Sequence, residues 1–398
     1  MKKNDRITPD GTSDVLFSEC TERRKVESLL GKSFYNAGYN EVRTPVLEFY
    51  DVYNNAGTQL IPQENMYKLT DLKGRLLVLR PDSTPPVARL VSTKLRDASL
   101  PIRIYYSQLV FRMNNNLKGQ SDQIYQTGIE LIGVSGKRAD LEALTLAISS
   151  ITSFVSEFRF EIGHAGIFKC LSEQLPVSLE QKEEIRFAIE SKNYAALNRL
   201  LDSAGDSKAA EALKCLPRLF GSAAVLDEAE RLIDCEEAQS AISYLRDIYN
   251  TLSGLGLEDK ISVDLGLVHH NDYYTGIVFS GYAKGSGETV ISGGRYDDYF
   301  GNFGRSMPAC GFAVHVDSLV KSAGLGANTD VTVPQILVHA KAGFELAAVA
   351  YSSGKRSEGI MCETSVFEDE QEAAQYAKSR GISELHVVSG EVEVKINS

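Results

Sequence analysis

The sequence predicts an α+β fold: an antiparallel sheet flanked by helices, with a helical insertion and a small C-terminal α/β domain. Three observations carry that expectation. Two pairs of strand-like segments before residue 135 are joined by short polar loops, residues 165–255 keep helical periodicity, and the last 65 residues alternate strand and helix signals. A chain of 398 residues also exceeds the ~250 to 300 at which single hydrophobic cores stop growing. The expected division is a core over 1–325, with its insertion at about 165–255, and a second domain over 326–398.

The elements follow in chain order. Glu22 to Ala37 places apolar residues at helical spacing, and Gly38 supplies a C-terminal stop. GYNEVRTPVLE reads as a turn, a short strand and a proline, Pro45, that ends or bends it. Met66–Leu69 and Arg75–Leu79 flank TDLKG as a hairpin with Gly74 in the turn. Ile102–Met113 and Asp122–Gly133 form a second hairpin around NNNLKGQS. In its second strand Gln123, Tyr125, Thr127, Ile129 and Leu131 share one face, while Asp122, Ile124, Gln126, Gly128 and Glu130 share the other. Gln126 and Glu130 with a glycine between them leave room for a ligand beside the backbone; the bland alternative is a solvated polar face.

In the insertion, Ser178-Leu179-Glu180-Gln181 is a capping box opening a helix through Ile185 and Ile189. Tyr194–Leu201, Ala209–Leu216 and Ala238–Leu252 are further amphipathic stretches. Strand signals return in KISVDLGLV, and in YTGIVFSGYA and ETVISGG around the turn KGSG. A weak linker, GLGANTDVTVP, then leads to the strands PQILVHA, GIMCETS and ELHVVS, with helices around Phe344–Tyr351 and Glu370–Ser379 between them. Alternation of that kind implies at least partly parallel pairing.

Composition narrows the function. A formal charge of -11 argues against broad electrostatic binding to nucleic acid, though not against a local basic patch. The start, MKKNDRITPDG, lacks an apolar signal core and no later run reaches about 18 apolar residues, so a cytoplasmic protein without membrane association is expected. The six cysteines show neither a C-x-x-C pair nor a histidine at ligand spacing; buried free thiols and no metal are the expectation.

Several short stretches converge on one family. TPDGTSDVL, GYNEVRTPVLE, LRPDSTPPVAR, Phe111-Arg112 followed by a loop and QTGIE, LVHHNDYYTG, and GGRYDDYF resemble in order and spacing the catalytic core of class II histidyl-tRNA synthetases, over roughly residues 5–322. The resemblance implies an antiparallel sheet of six or more strands carrying an amino-acid pocket, with GYNEVRTP at a dimer interface. It also implies histidine-contacting positions at Asp82, Thr84, Arg112, Gln126, Glu130, Tyr273 and Tyr274. Chemically, Asp82 and Thr84 suit the ligand's ammonium, Arg112 its carboxylate and Glu130 its imidazole N–H, while Gln126 and the tyrosines complete the cage. Synthetases usually carry glutamate where Asp82 stands, and the shorter carboxylate still pairs with an ammonium.

On the nucleotide side the resemblance breaks down. Adenylation needs preorganised cations around the α-phosphate, and losing one such donor typically costs ~2.7 to 4 kcal/mol. Synthetases place arginines at the positions of His269 and Ser318, an acidic residue at Asn114 and an arginine near Gln120. A neutral imidazole lacks the arginine fork, and adjacent strand residues such as His269 and His270 point to opposite faces, which disfavours a metal pair. No catalytic residues and no cofactor are therefore expected.

A retained histidine pocket beside a dismantled ATP site resembles the regulatory subunits of ATP phosphoribosyltransferase, to which LRPDST and GHAGIF are also similar. That resemblance implies a short-form catalytic subunit as partner, self-association in a homodimer core within a hetero-octamer, and histidine as feedback ligand of the first step of histidine biosynthesis. The last residues, EAAQYAKSRGISELHVVSGEVEVKI, resemble a shortened anticodon-binding domain. Two other functions stay open: a divergent histidyl-tRNA synthetase, which would exchange pyrophosphate into ATP, and a synthetase-derived module that binds RNA or protein.

Overall fold

The computed structural model describes residues 6–54, 61–114, 121–268, 274–284, 287–325 and 331–396. They fall into two compact units, one built mainly from Glu19–Ala327 and one mainly from Asn328–Ser398. The larger unit holds strands β1 (Asn40–Glu41), β2 (Leu47–Phe49), β3 (Lys68–Thr70), β4 (Leu76–Leu79), β5 (Ile102–Phe111) and β6 (Gln123–Ile132). It continues with β7 (Phe158–His164), β8 (Phe220–Gly221), β9 (Ile261–Asp264), β10 (Ile277–Ala283), β11 (Thr289–Arg295) and β12 (Ala309–His315). The smaller unit holds β13 (Ile336–Ala340), β14 (Cys362–Thr364), β15 (Glu384–Val388) and β16 (Val392–Ile396).

Nine strands of the larger unit form one sheet in the order β1-β5-β6-β12-β11-β10-β7-β9-β8. The run from β5 to β7 is antiparallel throughout, as the long hairpins require, whereas β1 joins β5 and β9 joins β7 in parallel. The class II synthetase-like α+β architecture expected from sequence is the one observed. Phe160, Ile162, Phe279, Phe312 and Ile129 point to one side of this sheet, where they pack with Leu144, Ile148 and Ile151 of helix Lys137–Thr152.

Local signals explain most boundaries. The first helix spans Phe17–Asn36, five residues longer at its start than the periodicity indicates, and buries Val26, Leu30 and Phe34 at four-residue intervals. Gly38 follows at φ +87°, a left-handed stop that a side chain would strain. In the first hairpin Asp71 accepts from the Lys73 and Arg75 amides at 2.9 Å, so its carboxylate rather than the glycine alone closes the turn. The Ser178 capping box is formed: Ser178 N–H donates to Gln181 Oε1 at 3.0 Å, and Gln181 N–H to Ser178 Oγ at 3.2 Å. Two further helices of this region, Ala165–Glu173 and Ala224–Leu232, are each only 9 residues long. Among the described residues no helix is long and apolar enough to cross a membrane.

The cysteine expectation is corrected in part. Cys170, on helix Ala165–Glu173, and Cys235, at the N-cap of helix Glu236–Gly254, form a disulfide across 65 residues of sequence. Sequence spacing gives no hint of it, because two packed helices bring the thiols together. Cys20, Cys215, Cys310 and Cys362 are free, and of these only Cys310 and Cys362 are buried. Protein purified without reductant and then denatured should titrate with Ellman's reagent as four thiols, rising to six after reduction. Six thiols before reduction would refute the pairing.

Candidate functional site

The strand β6 is central, not solvated. Gln126 is 3% exposed and Glu130 2% exposed, so the reading of a surface polar face is excluded and both polar side chains need partners inside the protein. Register supplies them. Glu130 lies across from Gly311 on β12, and Gly311 across from Gly294 on β11. A Cβ on Gly311 would stand 2.1 Å from Glu130 Oε2 and 2.3 Å from the Ile129 carbonyl, while one on Gly294 would meet the Tyr274 ring at 2.7 Å. The two glycines therefore clear the space that Glu130 and Tyr274 occupy.

Around that space lies a pocket lined by Asp82, Thr84, Arg112, Gln126, Glu130 and Tyr274 together with Tyr106, Ser292, Tyr296 and His315. Six of the seven residues expected from sequence thus meet in one place. The seventh, Tyr273, lies outside the described residues, as do Gln120, His269, His270 and Asp272.

Five hydrogen bonds set the electrostatics. Arg112 Nη2 donates to Asp82 Oδ2 at 2.7 Å and Arg112 Nε to the Pro81 carbonyl at 2.8 Å. Asp82 Oδ1 accepts from the Thr84 amide at 2.9 Å, and the Thr84 hydroxyl donates to Glu130 Oε1 at 2.8 Å. The Tyr296 hydroxyl bonds the other Glu130 oxygen. Asp82 and Arg112, assigned from sequence to opposite ends of a ligand, hold one another. An adjacent anion and cation are what a zwitterion's ammonium and carboxylate would meet.

Burial holds the Glu130 carboxyl well above the ordinary carboxylate range; the Thr84 hydrogen bond opposes this, and the Asp82 charge adds to it. Burial also pushes His315 down to about 4, with Arg112 contributing, so its ring is neutral. Because the Thr289 carbonyl only accepts, its contact with His315 Nδ1 at 3.1 Å places the ring proton on Nδ1.

Tyr296, like Tyr106, Ser292 and His315, is a site residue that sequence reasoning missed. It belongs to the motif GGRYDDYF, whose spacing marks a site without assigning its members. The same motif supplies Arg295, which bonds Asp140 through Nε at 2.8 Å and Asp297 through Nη1 at 2.8 Å, fixing the start of the segment that carries Tyr296.

A second cavity, about 1030 Å³, adjoins the first and shares Arg112 and His315 with it. Asn114 and Ser318, the positions where a synthetase would carry charged groups, both line it, together with Glu288 and Asp317. Ser318 donates to Glu288 at 3.1 Å, and Asp317 pairs with Arg23 at 2.8 Å.

The family profile described as Histidyl-tRNA synthetase matches residues 11–319. The ATP phosphoribosyltransferase regulatory subunit of Clostridium kluyveri is 41% identical over 387 residues, covering 96% of this chain and 99% of that one. A crystal structure titled as an ATP phosphoribosyltransferase regulatory subunit/histidyl-tRNA synthetase from Bacillus halodurans superposes with a TM-score of 0.82 at 29% identity, covering 94% of this chain and 97% of that chain. The histidyl-tRNA synthetase of a Nostoc species shares the fold, with a TM-score of 0.76 at 22% identity over 99% of this chain and 95% of that chain. The core, the site-bearing sheet and these similarities agree: the chain belongs to the family of ATP phosphoribosyltransferase regulatory subunits, built on the histidyl-tRNA synthetase core.

Proposed function

We propose that this chain is the non-catalytic regulatory subunit of an ATP phosphoribosyltransferase, required by a short catalytic subunit for full activity and carrying feedback inhibition by histidine. The observation behind it is the polar pocket in which Asp82, Thr84, Arg112, Gln126, Glu130 and Tyr274 converge. Histidine's ammonium goes to Asp82 and Thr84, its carboxylate to Arg112 and its imidazole N–H to Glu130, with Gln126 and the tyrosines, Tyr273 included, around it. The neighbouring pocket carries Asn114 and Ser318 at the positions where the resemblance sets charged groups of a synthetase, so in this proposal the bound amino acid is not activated.

Histidine acts in this proposal by binding one conformation of the assembly more tightly. Only that differential affinity can shift the catalytic subunits toward a less active state. Calorimetric titration of the complex with histidine tests the assignment: saturable heat is expected over the concentrations that inhibit. Inhibition without heat would remove histidine from this pocket. Histidine-dependent exchange of pyrophosphate into ATP would instead identify a working synthetase.

A further inference from the structure

In the smaller unit β16 is an edge strand with β15 as its neighbour. Ladder parity shows which of its backbone groups are already used. The Glu384 amide donates to the Gln335 carbonyl, and the Lys341 amide to the Val388 carbonyl. Even-numbered residues of β15 therefore turn their backbone groups toward β13, and the odd ones, Leu385 and Val387, bond β16 through their register partners Lys395 and Glu393. The N–H and C=O groups of Val392, Val394 and Ile396 consequently face the open edge.

The side chains of those three residues are also uncovered. Lys395 reaches Glu370 of helix Glu370–Arg380, so that helix lies on the Glu393/Lys395 face. On the opposite face helix Glu345–Ser357 packs over β13 and β14, leaving Val392, Val394 and Ile396 exposed by 39%, 51% and 80%. An open edge with alternating apolar side chains favours pairing with another strand.

The sequence of the edge selects the partner. About Val394 it is charge-antisymmetric, with Glu393 and then Val392 on one side, Lys395 and then Ile396 on the other. An antiparallel copy centred there sets Val394 against Val394, Val392 against Ile396, and Glu393 against Lys395 twice. Outward backbone groups at Val394 make the central pair the hydrogen-bonded kind. A centre on Val392 or Ile396 would shorten the ladder, and one on Glu393 or Lys395 would set a like charge directly opposite itself. We propose that β16 pairs antiparallel with β16 of a second copy of this chain, on a two-fold axis at Val394, joining two four-stranded sheets into one.

The test uses the full chain. Val394→Pro removes an outward N–H while sparing the β15 ladder, a position where an edge strand tolerates proline. Its mass in sedimentation equilibrium should fall by half relative to the parent at equal concentration. Independently, Glu393→Cys and Lys395→Cys chains, co-expressed and exposed to oxidised glutathione, should form a disulfide-linked heterodimer. Facing Cα atoms of such a non-hydrogen-bonded pair stand about 4.5 Å apart, within disulfide reach. Each variant alone should link at least about fivefold less, because its cysteines are diagonal. Unchanged mass in a folded Val394→Pro chain, or a mixture that links no better than the single variants, would overturn the pairing and leave the edge for a different protein. If Val394→Pro unfolds the unit, the cysteine pair decides alone.

Discussion

Arg112→Ala is expected to weaken histidine binding roughly ten- to a hundredfold while barely changing the melting temperature. A hydrogen bond to a charged group contributes about 1.5 to 3 kcal/mol, and each 1.4 kcal/mol is about a factor of ten in affinity. Among the described residues Arg112 donates through Nε to Pro81 and through Nη2 to Asp82, and the proposed ligand carboxylate adds a further contact. Its side chain is 29% exposed, so the lost ion pair with Asp82 is partly screened and contributes little to stability. Arg112→Lys keeps the charge without the planar fork and should fall between parent and alanine. Calorimetry with histidine and a thermal melt on the same samples separate the two effects. Affinity within twofold of the parent would show that the carboxylate is held elsewhere.

Residue patterns reveal some parts of this molecule and conceal others for physical reasons. The alternation in β6 is legible because strand geometry puts Gln126 and Glu130 on one face whatever the tertiary fold. Whether that face is wet or buried is not legible: it depends on β12, which arrives from 181 residues downstream to lay Gly311 against Glu130. Tyr296 stays hidden for the same reason, since 166 residues separate it from the carboxyl it bonds. Cys170 and Cys235 meet because two helices pack, and no cysteine spacing reports helix packing. The parallel additions of β1 and β9 are equally silent, because both strands are short and their partners lie far along the chain. Motif order placed six site residues together, yet gave no sign that Asp82 and Arg112 would pair with each other.

Arg80→Met is expected to lower the apparent melting temperature of the larger unit by about 5 to 10 °C and to weaken histidine binding as well. Arg80 precedes Pro81 and Asp82 in LRPDST, and its charge suggests a ligand contact, but it is 2% exposed and absent from the cavity lining. Its guanidinium is spent on the backbone. Nη1 donates to the Thr44 and Pro45 carbonyls at 2.7 and 3.0 Å and to the Thr44 hydroxyl at 3.1 Å, while Nε and Nη2 both reach the Leu109 carbonyl, at 3.1 and 2.6 Å. One side chain thus ties the bend at Pro45 and the end of β5 to the strand that delivers Asp82. Methionine fills similar volume but leaves three carbonyls without that donor, at about 1 to 3 kcal/mol for each that stays dry. Removing a buried cation recovers part of this, since burial already lowers the Arg80 pKa, and a net loss of about 4 kcal/mol remains. Histidine affinity falls with it because Arg112 bonds the Pro81 carbonyl, so displacing Pro81 moves both Asp82 and Arg112. Arg112→Ala should therefore change affinity alone, and Arg80→Met affinity and melting together. A parental melt for Arg80→Met would show that water replaces the guanidinium and that the loop from Thr44 to Val46 is held by other bonds.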